Sequence, residues 1–128
     1  MSAALALAVK TRLTEECGSA DAVYPTRLPE DATLPALVYQ QLTGPRDYTH
    51  SGEGAPHRTR WQVTCWAATY AAAKALAAEA VAALSAWTET SGTHVTDAVA
   101  FVGNETDLYD PAAQLYYVPV DVTILFVP

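Results

Sequence analysis

The chain has 128 residues, enough for one domain with a core of its own. Hydrophobic residues make up 51% and charged residues 16%, which excludes a disordered chain, and no apolar run reaches the roughly 20 residues that cross a bilayer. Fourteen acidic against seven basic residues leave a net charge of −7, which argues against binding to a nucleic-acid backbone, where clustered Lys and Arg neutralise phosphate.

The N-terminus is apolar without a basic start, and Lys10 and Arg12 interrupt it. It reads as an amphipathic helix over Ala3–Glu15 and not as a signal peptide, with Leu5, Val9 and Leu13 turned inward and a stop near Gly18. Two cysteines, Cys17 and Cys65, then suggest reduced thiols in an intracellular product. Prolines 25, 29 and 35 keep the next stretch extended, with a short strand at Ala22–Tyr24.

Ala36–Leu42 reads as a strand, with Leu37 and Tyr39 on one side and Val38 and Leu42 on the other. A long loop from Gly44 to His57 should join it, hairpin fashion, to the strand that begins at Arg58. From Arg58 to Ala67 the period is two: Trp61, Val63 and Cys65 face one way, and Arg58, Arg60, Gln62 and Thr64 the other. At Ala68 the period becomes 3.6, and Tyr70, Ala73, Leu76, Ala77, Ala80, Leu84 and Trp87 share one face of an alanine-rich helix capped by Thr69.

TETSGT closes that helix, and Val95–Val102 forms a strand with Val95, Val99 and Phe101 on one side. GNETDLYDP reads as a turn. Leu115–Val127 carries an unbroken apolar face, Tyr116 to Phe126 at every second residue, with Tyr117, Pro119, Asp121 and Thr123 opposite. Pro119 cannot donate to a ladder, so this strand should lie at an edge there or carry a bulge. These elements predict an α+β domain: a mostly antiparallel sheet of four to five strands with two helices packed on it.

A search for chemistry returns no catalytic, cofactor or metal site. His50, His57 and His94 lack zinc-site spacing. Asp107 and Asp110 fall short of the six or more oxygens that calcium needs. Ser51 beside His50 has no residue to orient the histidine, and SGEGAP lacks a phosphate cradle's lysine. Tyr117, outward on a strand, is either incidental or an interface anchor.

The order of the pieces resembles the small tail-completion, or tail-terminator, proteins of long-tailed bacteriophages. The likeness lies in an N-terminal helix, the VYP step at Val23–Pro25, LPALVYQQL at 34–42, RWQVTCWAATYAAAKALAAEAVAAL at 60–84 and YYVPVDVTILF at 116–126. It implies a non-enzymatic virion component without cofactor. Such a protein forms a homo-oligomeric ring, a hexamer, at the head-proximal end of the tail, between the major tail tube protein and a head connector or head-completion protein. A closed ring needs a head-to-tail interface. Sheet edges suit that purpose, and the closing strand and the Gly44–His57 loop are the candidates: Arg46, Asp47, Tyr48, His50, Glu53, Tyr117 and Asp121. Glu53, Asp107, Asp110 and Asp121 are candidate acids for a lumen through which DNA slides without specific binding. The competing expectations are a small ligand-binding or regulatory module that dimerises through its sheet, and an enzyme of unrecognised kind.

Overall fold

The computed structural model describes residues 2–18, 20–43, 57–85, 87–90 and 97–127. The described elements are α1 (Ser2–Glu16), β1 (Ala22–Pro25), β2 (Ala36–Thr43), β3 (His57–Ala67), α2 (Tyr70–Leu84), β4 (Thr88–Thr90), β5 (Asp97–Glu105), β6 (Leu108–Asp110) and β7 (Leu115–Val127). They form an α+β fold. The sheet runs β1-β2-β3-β7-β5-β4, with β6 paired to the start of β7, and every pairing is antiparallel except β1 with β2.

One face of this sheet carries both helices. The alternation in β3 buries Trp61, Val63 and Cys65 beneath α2, and their register partners Val122, Val120 and Val118 are buried with them. Leu37 and Tyr39 extend that layer into β2, and Ala100 extends it into β5. Helix α2 contributes Ala73, Leu76, Ala77, Ala80, Ala83 and Leu84. Alanine at most of these positions lets the helix axis approach β3 and β7 closely. The Thr69 hydroxyl accepts from the Ala72 N–H at 3.2 Å and satisfies one free amide of the first turn. At the other end the Arg12 guanidinium of α1 donates to the Ala83 carbonyl at 2.9 Å, a cation placed where the helix dipole favours it. Val9, Leu13 and Cys17 fix α1 against the same core.

Cys17 and Cys65 are both free and buried. Desolvation pushes the Cys17 thiol up to about 11, with Glu79 and Glu16 adding to the effect and Arg12 opposing it. Burial likewise raises Cys65 far above an ordinary thiol. Both therefore stay neutral and serve as small apolar side chains.

The structure corrects four sequence expectations. Among the described residues the sheet has seven strands, not four or five. Thr88–Thr90 is a strand paired with the start of β5, not only a helix terminus. The stretch read as a turn at 103–111 holds the end of β5 and all of β6; the tight reversal is at 111–114, with Gln114 at φ 56°. The closing strand β7 is interior, flanked by β3 on one side and by β5 and β6 on the other.

Pro119 is tolerated inside the sheet for a specific reason. In an antiparallel strand the N–H and C=O of one residue project to the same side. The Pro119 carbonyl accepts from the Thr106 N–H at 3.1 Å. Its missing N–H therefore points toward the link between β5 and β6, where the ladder is already interrupted, and not toward β3. The bulge lies in β5, between Val102 and Asn104, not in β7.

Candidate functional site

Among the described residues, the opposite face of the sheet carries no helix. It presents Arg58, Arg60, Gln62, Thr64 and Trp66 from β3, Tyr117, Pro119, Asp121 and Thr123 from β7, and Phe101 from β5. Val99 and Phe101 do share a side, as expected, but it is this open one, and Phe101 is 51% exposed. The core residue of that strand segment is Ala100.

Two walls turn part of the open face into a groove of roughly 600 Å³. One wall is the segment Thr26–Glu30 that follows β1; the other is the β6–β7 hairpin, with Leu108, Asp110 and Leu115. The floor includes Val38, Gln40, Gln62 and Thr64. Val38 was expected opposite Leu37 and lies there, but it is buried while Leu42 is exposed. At the hairpin end Trp66 and Tyr117, register partners on neighbouring strands, stack at 4.5 Å with 17° between their planes.

The first wall is set by a strained turn. Thr26 has φ 68°, a region that a β-branched residue rarely enters. The Arg27 N–H donates to the Pro25 carbonyl at 2.7 Å, closing a three-residue γ-turn around Thr26. The Thr26 N–H is held by the Tyr39 carbonyl at 2.8 Å. Together these bonds end β1 and send the chain across the open face.

A second cluster lies where α2 begins. Tyr70 was expected on the buried side of the helix, yet it is 48% exposed. Its hydroxyl donates to Asp107 Oδ2 at 2.8 Å, and Lys74 Nζ donates to Asp107 Oδ1 at 3.0 Å. Lys74 also lies 3.5 Å from Glu105. Tyr116 packs edge-on against Tyr70 at 6.0 Å and at a 55° tilt against Tyr109 at 4.8 Å. This clasp ties the β5–β6 link to α2. The bonds from Tyr70 and Lys74 hold the Asp107 carboxyl below the usual carboxylate range, and the bond to Asp107 raises both Tyr70 and Lys74.

The pH dependence follows from those directions. Asp107 is depressed, so its contribution is present above the ordinary carboxylate pKa and is lost as pH falls through its lower folded value. Tyr70 and Lys74 are raised, so theirs are present below the ordinary tyrosine and lysine values and are lost as pH rises through the higher folded ones. In Asp107→Asn the Tyr70 titration, followed by NMR of its ring, should shift down toward that of an ordinary tyrosine. An unchanged Tyr70 titration would refute the clasp.

The structure separates the candidate residues. Arg46, Asp47, Tyr48, His50 and Glu53 lie outside the described residues. Tyr117 and Asp121 are half-buried on the open face, one stacked on Trp66 and the other opposite Gln62. Their placement on an edge strand does not hold, because β7 is interior. Asp107 is offset by Lys74. Asp110 accepts from the Ala112 and Ala113 N–H groups at 3.0 and 3.4 Å and shapes the hairpin reversal. The Thr26–Glu30 wall was not among the sequence candidates, and Trp66, whose sequence reading is the strand–helix core or its margin, lies half-buried on the open face. The outward parity of Trp66, one residue on from Cys65, was the available signal.

The family model described as Tail completion protein gp17 matches residues 3–126. The chain belongs to this phage tail-completion family. The match takes in every element from α1 to β7, so the open face and the clasp both lie within the family fold. Among solved structures, a chain from the virion of a native gene transfer agent particle is similar, with a TM-score of 0.66 and 16% identity over 94% of this chain and 92% of that one. That likeness concerns the fold. No curated protein matches this tail-completion family member by sequence.

Proposed function

We propose that this protein closes the head-proximal end of a phage tail tube as a ring, most simply of six copies. There it ends tube polymerisation and offers the surface on which the head is joined. The observation that carries this reading is the family match over residues 3–126, nearly the whole chain. Fold likeness to a chain of a gene transfer agent virion supports it. The ring works by shape and contact, without catalysis or cofactor, between the major tail tube protein and a head connector or head-completion protein, and it resides in the virion.

An acidic subunit suits a ring whose opening passes DNA, since fixed negative charge repels the backbone over about 8 Å at physiological salt. Asp121 is the lumen candidate whose charge is not used within the described fold. Asp107 and Asp110 are each engaged locally.

Electron microscopy of particles made without this protein tests the proposal. Tubes of uncontrolled length that fail to join heads are expected. Tails of normal length with normal head attachment would reject it. Mass measurement in solution and on purified tails separates it from a sheet-mediated dimer, which would give two copies and no ring.

A further inference from the structure

The groove wall formed by Thr26–Glu30 belongs to a longer segment, Thr26–Thr33, that has neither helix nor strand. Among the described residues, two hydrogen bonds tie this segment to the β1–β2 pair, one at each end. The Thr26 N–H donates to the Tyr39 carbonyl at 2.8 Å, and the Thr33 N–H donates to the Tyr24 hydroxyl at 3.2 Å. The bonds from Arg27 N–H to the Pro25 carbonyl and from Ala32 N–H to the Pro29 carbonyl only turn the chain on itself. Arg27, Glu30 and Asp31 are exposed and form no ion pair among the described residues.

This loosely tied segment nevertheless lies over buried surface. Val38 is on the helix-free face, yet only 5% of it is exposed, and the half-buried Leu28 and Pro29 line the groove with it. One end of the segment is strained, because Thr26 at φ 68° holds a β-branched residue in the left-handed region. Thr26 also borders a second hollow of roughly 290 Å³ with Pro25, Tyr39 and Gln41, so this hinge has open space on both sides. We infer that Thr26–Thr33 is a movable strap: it lifts about Thr26, releases both end bonds together, and uncovers Val38 and the groove floor. Strain at Thr26 drives opening. The two end bonds and the burial of Val38, Leu28 and Pro29 drive closing. Terms so opposed leave a minor open population within the folded protein. The strap is a property of the single subunit and does not depend on the ring reading.

The test is thiol labelling of Val38→Cys with dithionitrobenzoate. Cys17 and Cys65 are free and buried in the core, so in the same chain they report opening of the whole fold. The introduced thiol should react roughly tenfold faster than either, or more, since it needs only the strap to lift. Thr26→Asn accepts positive φ without adding backbone freedom, and should slow the introduced thiol about threefold relative to the native pair. Tyr24→Phe removes one end bond and should speed it about twofold. In the unmutated chain, hydrogen exchange should show the Thr26 and Thr33 amides roughly tenfold less protected than those of Val63 and Val120 in the sheet interior. An introduced thiol no faster than the native pair would overturn the inference. So would a ratio unmoved by Thr26→Asn, or a Thr26 amide as protected as that of Val120.

Discussion

Trp61→Ala should lower the stability of this protein by about 3–5 kcal/mol, the range for removing a large buried aromatic. Trp61 is 2% exposed and sits where β3 meets β7 under the helical layer. Its loss removes more than apolar area. The indole N–H donates to Thr59 Oγ1 at 2.8 Å, and the Thr59 hydroxyl, itself buried, donates to the Ile124 carbonyl at 2.9 Å. Truncation leaves the threonine oxygen facing a cavity with one bond of two. Domains of this kind are stable by about 5–15 kcal/mol, so the variant should melt more than 10 °C below the parent. Trp61→Phe should recover most of the packing and retain the Thr59–Ile124 bond. The measurement is thermal and urea unfolding of the three proteins; a cost under about 1 kcal/mol for the alanine variant would contradict a close-packed site.

Ala77→Leu should cost about 1–3 kcal/mol even though leucine is an excellent helix former and more apolar. Ala77 is fully buried, on the face of α2 that lies on β3 and β7. Three added carbons have no space unless the helix moves off the sheet, and Thr69 and Arg12 hold its two ends. Ala78→Leu, one residue on and exposed, is the control and should stay within about 0.5 kcal/mol. Equal effects at the two positions would mean that the helix face has been misassigned. The comparison also bears on assembly. If α2 shifts, Tyr70 and Lys74 shift with it, and the clasp on Asp107 that positions the β5–β6 link is strained.

Local pattern alone made several elements legible. The change from period two to period 3.6 at Ala68 marks the end of β3 and the start of α2, and burial of Trp61, Val63, Cys65, Leu76 and Leu84 follows directly. Every second residue of the closing strand from Val118 to Ile124 is buried for the same reason. The long β2–β3 hairpin was legible because both strands carry a core face and a loop stretch separates them. Even the family resemblance rested on such local signatures in a fixed order, and the match over 3–126 agrees with it.

Beyond the β2–β3 hairpin, which strand lies beside which was not legible. Pro119 argued for an edge, and the argument was sound for an uninterrupted ladder. The strand is interior because the ladder breaks at Thr106, where the proline has no partner to fail, and that coincidence exists only once β5, β6 and β7 are in register. The three-residue strands β4 and β6 were missed because too few residues alternate to show a period; β5 and β7 hold them in place. The stacking of Trp66 on Tyr117 and the clasp of Tyr70 and Lys74 on Asp107 join residues 51, 37 and 33 positions apart. Sequence by itself determined the longer elements and most of their buried faces, because hydrophobic periodicity is a property of neighbouring residues. Tertiary structure alone decided the order of the remaining strands and the groove on the open face, because those depend on contacts between segments distant in the chain.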